Sequence, residues 1–140
     1  MVAKPGVLFL CVGNSVRSQM AEGFMRHYGE GKVECFSAGI ASTFVHPLAV
    51  QVMKEKGIDI SHQTSKLLDE IDLPKVTHVA TLCGEADELC PRIPKEVPIY
   101  KWALPDPLRS DPREKERVFR EVCDGIEKKV KELLKELKCD

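Results

Sequence analysis

A chain of 140 residues, 43% hydrophobic and 31% charged, can bury one core without staples, and a formal net charge of -1 offers no basic face for nucleic acid or an anionic membrane. The longest apolar run, Val7 to Val12, is too short to cross a bilayer, and the opening MVAKPG lacks a signal-peptide hydrophobic segment, so we read one soluble cytoplasmic domain over residues 1–140. In a reducing compartment the six cysteines, at positions 11, 35, 83, 90, 123 and 139, are expected to be catalytic, redox-active or buried; without a Cys-x-x-Cys pair or a histidine at zinc-finger spacing, no metal site is expected.

Val7 to Val12 reads as a fully buried strand, and RSQMAEGFMRHYGEG as a helix with Met20, Phe24 and Tyr28 on one side. KVECFSAG follows as a second strand and HPLAVQVMKEKG as a second helix, opened by Pro47 and closed by Gly57. SHQTSKLLDEID reads as helical, THVATLC as a third buried strand, and VPIYKW as a short fourth strand. The last segment carries Asp111 as a helix N-cap, Pro112 at the first helical position and apolar residues from Val118 to Leu137 at helical spacing. This alternation predicts an α/β fold, a four-stranded parallel sheet covered on both faces, with ligands gathering beyond the carboxyl ends of the strands, where Cys11, Cys83 and Trp102 fall.

Between the first strand and helix stands Cys-x5-Arg: Cys11, then Val12, Gly13, Asn14, Ser15 and Val16, then Arg17. A loop of this length can wrap its N–H groups round a tetrahedral oxyanion, with Gly13 and Asn14 tolerating unusual backbone angles and the helix start adding positive potential. Arg17 supplies a fork for two anion oxygens, and amides, guanidinium and the Ser18 hydroxyl together favour a thiolate on Cys11. That is a nucleophile aimed at an oxyanion centre.

The stretch CVGNSVRSQMAEGF resembles the active-site loop of the low-molecular-weight tyrosine phosphatase family, and more closely that of the thioredoxin-coupled arsenate reductases sharing its fold. The resemblance implies a four-stranded parallel sheet flanked by helices, and a general-acid aspartate in an Asp-Pro pair, which Asp106-Pro107 supplies; by itself the pair would also serve as a turn starter. It further implies a second cysteine at the end of the third strand and a third in the polar stretch beyond it, positions filled by Cys83 and Cys90. The implied reaction is reduction of arsenate, with phosphate or sulfate as mimics, through a Cys11 adduct and a Cys11-Cys83-Cys90 disulfide relay emptied by thioredoxin as external reductant, with no bound cofactor and a monomeric chain. The alternative is a tyrosine phosphatase using Cys11 alone; a non-enzymatic oxyanion sensor is a third reading.

Some of these reductases bind potassium beside the loop. Asn14, Glu22 and Ser37 match three of its ligands, but Lys66 stands in the fourth place, where its ammonium is expected to answer Glu22 and make activity independent of potassium. Cys35 and Cys123 are assigned to packing, Cys139 to a frayed C-terminus and His62 to the surface, and the other histidines carry no legible role.

Overall fold

The computed structural model describes residues 4–140, the side chains of 85, 87 and 88 excepted. The first strand, β1 (Gly6–Cys11), is buried along its whole length, as its unbroken apolar run requires. It pairs in parallel with β2 (Glu34–Gly39) on one side, Cys11 opposite Gly39, and with β3 (His78–Thr81) on the other, Leu10 opposite Thr81. A short fourth strand, β4 (Ile99–Lys101), adds to β3, giving the order β2-β1-β3-β4. The expected parallel sheet is therefore present, and the chain reverses its direction of winding between β1 and β3, where such sheets open a crevice.

Three α-helices pack against one another: α1 (Arg17–Tyr28), α2 (Pro47–Glu55) and α3 (Lys115–Glu136). Phe9 of β1 meets Trp102 at 5.9 Å between ring centroids, and Trp102 shares a cleft with Leu133 of α3, so this is the face that α3 covers. Leu8 and Leu10, which alternate with Phe9 and so point to the other face, are also fully buried, so that face is covered as well. From Arg17 to Met25 every residue of α1 is buried, and α3 buries Phe119, Val122, Ile126, Val130, Leu133 and Leu134, each worth about 1.5–3 kcal/mol relative to exposure. No described helix is long and apolar enough to cross a membrane.

Three local expectations need correction. Residues 61–72 form no α-helix, only a 3-10 turn at Leu68–Glu70, because the backbone there bonds outward to other segments: Lys66 N–H donates to Asn14 Oδ1 (2.7 Å) and Lys66 C=O accepts from Gly39 N–H (2.9 Å). Asp111 caps a preceding turn instead of the helix, accepting from Arg113 N–H at 2.8 Å, and α3 begins at Lys115 with Glu114 in the N-cap position.

The C-terminus is not frayed. Lys138 takes φ +59°, Cys139 N–H reaches Leu134 C=O (2.8 Å) and Lys138 N–H reaches Lys135 C=O (3.1 Å), a Schellman closure that buries Cys139. A lysine in that left-handed position costs what glycine would not, so Lys138→Gly is expected to raise stability by about 1 kcal/mol. Urea denaturation checks this: an unchanged or lower midpoint would mean that the lysine carries no strain.

Candidate active site

Past Cys11 the chain turns through residues 12–16 and enters α1 at Arg17. The left-handed conformation that this turn needs falls on Asn14 alone (φ +48°), not on Gly13 as well, which corrects the expectation for that glycine. Asn14 is fully buried and bonded at three atoms: Nδ2 donates to Ser18 Oγ (2.8 Å), Oδ1 accepts from Lys66 N–H, and its carbonyl accepts from Gln19 Nε2 (3.0 Å). The Gly13 carbonyl accepts hydroxyls from Ser65 and Thr43, each at 3.0 Å. The loop is thereby fixed in shape before any ligand arrives.

Ser18 Oγ lies 2.8 Å from Cys11 Sγ. Because that oxygen already accepts from Asn14, its own hydrogen is available to the sulfur. Arg17, only 6% exposed, donates from Nη1 to Leu104 C=O (2.9 Å) and Leu82 C=O (3.4 Å), while Nη2 stands 3.8 Å from Asp106 Oδ2. One arginine therefore ties the start of α1 to the loops that follow β3 and β4. Asp106 caps the 3-10 turn Pro107–Arg109, its Oδ1 accepting from Leu108 N–H (3.0 Å), and its Oδ2 also lies 3.8 Å from Arg109 Nε.

Two clefts open at this sheet edge. One, of about 280 Å³, lies over Cys11 and the 12–17 loop and is walled by Phe44, His46 and Leu108. The other, of about 530 Å³, is lined by Cys83, Gly84, Leu104, Arg109 and Ser110. Both are bounded by Val12, Arg17 and Asp106, so Cys11 and Cys83 stand on either side of a common wall. β3 itself ends at Thr81, but Leu82 N–H still bonds Leu10 C=O (2.8 Å), which carries the pairing register on to Cys83 beside Val12. Cys90 is half-buried in the 3-10 segment Gly84–Arg92 and is not among the residues lining either cleft.

Behind the loop, Glu22 accepts from Ser37 Oγ and from Arg26 Nη2, both at 2.5 Å, and Lys66 Nζ lies 3.9 Å from its Oε1. The ammonium also donates to Thr64 C=O at 2.6 Å. Lys66 thus faces Glu22 from one side, and Arg26 adds a second cation that the sequence does not announce. With Asn14 Oδ1 taken by a backbone amide and Glu22 facing two side-chain cations, these residues do not fit a bound potassium ion. Exchanging potassium for sodium at equal ionic strength is therefore expected to change activity less than twofold, and a marked fall in the substrate constant with potassium would contradict this.

His46 was also not legible. Its Nδ1 accepts from Leu48 N–H (3.1 Å) as the N-cap of α2, its ring lies between Phe44 and Phe119, and burial with Lys115 nearby pushes its pKa down, leaving a neutral imidazole on the wall over Cys11. The His46-Pro47 pair ahead of a helix was the available signal. Trp102 faces α3 away from the Cys11 cleft, whereas Phe44, 60% exposed, stands at that cleft's rim. Burial pushes the Cys35 thiol up to about 11 and the Cys123 thiol up to about 12, in keeping with packing roles, and His62 is exposed.

The sequence profile of the low molecular weight phosphotyrosine protein phosphatase family matches residues 6–140. An arsenate reductase of Halalkalibacterium halodurans is 45% identical over 130 residues, 91% of this chain and 94% of that protein. Among solved structures, an arsenate reductase in the oxidized state superposes with a TM-score of 0.84 at 37% identity, covering 94% of this chain and 97% of that one. An arsenate reductase in the phosphate binding state gives 0.75 at 34% identity, covering 97% and 99%. The loop that holds Cys11 and Arg17 and the parallel sheet beneath it are thus explained by descent: the chain belongs to the low molecular weight phosphotyrosine protein phosphatase family, in which the relatives named here are arsenate reductases.

Proposed function

We propose that this protein reduces arsenate to arsenite by a three-thiol relay and that a thioredoxin-type dithiol in the cytoplasm regenerates it. The observation that carries this reading is the shared wall: Cys83 lines a cleft bounded by the same Arg17 and Asp106 that bound the cleft over Cys11. A phosphatase needs only the first thiol. The similarity to arsenate reductases over nine-tenths of the chain supports the same reading.

The loop amides and Arg17 grip three arsenate oxygens, and the Ser18 hydroxyl steadies negative charge on Cys11 Sγ. Cys11 attacks arsenic, an S–As bond forms, and the fourth oxygen leaves as water with a proton handed over by Asp106 at the cleft mouth. Cys83, giving up its thiol proton, then attacks Cys11 Sγ. The S–As electron pair stays on arsenic, which departs as arsenite, and a Cys11-Cys83 disulfide remains. Attack by Cys90 on Cys83 Sγ releases Cys11 as thiolate, and the external dithiol returns two electrons to the Cys83-Cys90 disulfide. Because Cys90 starts half-buried outside both clefts, the segment 84–92 must rearrange for that step.

Phosphate on the same loop cannot take electrons from a thiol, so phosphate-ester hydrolysis is at most a side reaction, to which Phe44 and His46 offer an aromatic wall. NADPH consumption with thioredoxin, thioredoxin reductase and this protein tests the proposal: arsenate should drive turnover and phosphate should not. No arsenate-dependent turnover, with aryl phosphate hydrolysis retained, would hand the function to the phosphatase reading.

A further inference from the structure

Gln19 follows Ser18 in α1 and is fully buried, yet no step of the reaction above uses it. A buried side-chain amide has to find partners for two donor hydrogens and an acceptor oxygen. Here all of them are found. Nε2 donates to the Asn14 carbonyl (3.0 Å) and to the Thr64 carbonyl (2.9 Å), and Oε1 accepts from Gln63 Nε2 (2.8 Å). Gln63, itself only 9% exposed, also donates from Nε2 to the main-chain carbonyl of Gln19 (3.0 Å). Turned over, the Gln19 amide would set its oxygen against two carbonyl oxygens and its nitrogen against the Gln63 nitrogen. The pair therefore holds that amide one way round.

The bond to Asn14 has a consequence on the far side of the loop. Asn14 carries the left-handed conformation of the turn, and its carbonyl points inward to the buried Gln19. In a planar trans peptide the N–H stands opposite the C=O, so the Ser15 N–H is turned away from Gln19. Ser15 lines the cleft over Cys11, and among the described residues no group accepts from its N–H. The next peptide is fixed separately, because the Ser15 carbonyl accepts from His46 N–H (3.0 Å). Gln19 is thus the described side chain that bonds the Asn14–Ser15 peptide. Its second bond reaches the Thr64 carbonyl, which also accepts from Lys66 Nζ (2.6 Å), so one amide ties the loop to the segment whose ammonium faces Glu22.

Resting on the arsenate reading above, we propose that Gln19 is a positioning residue for the oxyanion: it holds the Asn14–Ser15 peptide with its N–H toward the cleft, and Gln63 fixes the amide that does so. Gln19 touches neither the anion nor Cys11. It acts by keeping a donor in place before the anion arrives, so that none of the binding is spent on ordering that peptide. Gln19→Met fills much the same volume without donors. It leaves the Asn14 and Thr64 carbonyls unbonded and lets the peptide between 14 and 15 rotate, which weakens one hydrogen bond to the anion. Such a bond is worth about fivefold in affinity.

The experiment is calorimetric titration of the reduced protein with inorganic phosphate, which binds as arsenate does but takes no electrons from a thiol. Gln19→Met should raise the phosphate Kd about fivefold and Gln63→Met about threefold, and the double variant should match Gln19→Met alone instead of reaching the product of the two. KM for arsenate should rise with the phosphate Kd while kcat changes less than about twofold. Urea midpoints measured alongside separate positioning from packing: a Gln19 that only filled the core would lower the midpoint and leave the phosphate Kd where it was. An unchanged Kd in folded Gln19→Met overturns the proposal, as does an unchanged Kd in Gln63→Met should Gln19→Met not fold. Multiplying effects in the double variant would overturn the part given to Gln63. Failure of the oxyanion reading itself looks different, since the unsubstituted chain would then bind no phosphate, and the role of Gln19 would fall with it.

Discussion

Cys83→Ser is expected to abolish arsenite release, by at least a thousandfold and without even a first turnover, while oxyanion binding and any aryl phosphate hydrolysis survive. The reasoning is chemical. Cys11 can still attack arsenic, since its loop, Arg17 and Ser18 are untouched, but the adduct leaves as arsenite only when a second sulfur takes Cys11 Sγ from arsenic. A serine hydroxyl in that place is a poor nucleophile toward sulfur, and the adduct can only revert. Cys90→Ser should differ in kind, releasing about one arsenite per enzyme and stopping at a Cys11-Cys83 disulfide when no small thiol is present. Arsenite counted after a single mixing, with the disulfides mapped by mass spectrometry, separates the two. Arsenite release by Cys83→Ser equal to that of the unsubstituted chain would remove Cys83 from the relay and leave a phosphatase-like site with incidental thiols.

How much of this was legible before the structure depends on which atoms do the work. Cys11, Asn14, Arg17 and Ser18 fall within one strand-loop-helix unit, so their spacing announces them, and the Asp106-Pro107 pair announces itself by resemblance. What holds Arg17 was invisible, because the Leu82 and Leu104 carbonyls are backbone groups that any residue would supply. The stretch 61–72 misled for a related reason: its side chains have helical spacing, but its amides and carbonyls are claimed by Asn14 and Gly39 across the sheet edge, and tertiary bonds override propensity. At the C-terminus a glycine would have signalled a cap, and Lys138 in its place concealed one. The two clefts lie still further from sequence, since their common wall joins Val12 and Arg17, at either end of the turn after β1, to Asp106, from the loop after β4.

The same dependence of the site on backbone contacts makes Gly39→Ala the substitution with the largest expected effect outside the cysteines. Gly39 ends β2 opposite Cys11, and a Cβ there would stand 2.6 Å from Val12 O, 2.9 Å from Asn14 N and 2.9 Å from Ala41 O. All three are backbone atoms, so no side chain can swing aside. Nor can Val12 retreat cheaply, because its carbonyl accepts from Ile40 N–H (2.9 Å) and Ala41 N–H (3.0 Å). The methyl group is expected to cost about 1–3 kcal/mol of stability as overpacking and to displace the oxyanion loop by several tenths of an ångström. For a site whose catalysis rests on pre-set amides, a misplacement of about 1 Å costs about a hundredfold in rate, so a shift of several tenths of an ångström should lower kcat/KM for arsenate by about tenfold even in the fraction that remains folded. Gly125→Ala is the control, since it lies inside α3 where a Cβ would meet only Leu104 Cδ2 at 3.6 Å, and it should be neutral or stabilising by up to about 1 kcal/mol. Urea midpoints and arsenate kinetics on the two variants decide the matter. If Gly39→Ala matched Gly125→Ala in both, the close approach of β2 to the loop would not set the geometry of the oxyanion site, and the rigidity of that loop would have to come from the hydrogen bonds made by Asn14 and by the Gly13 carbonyl.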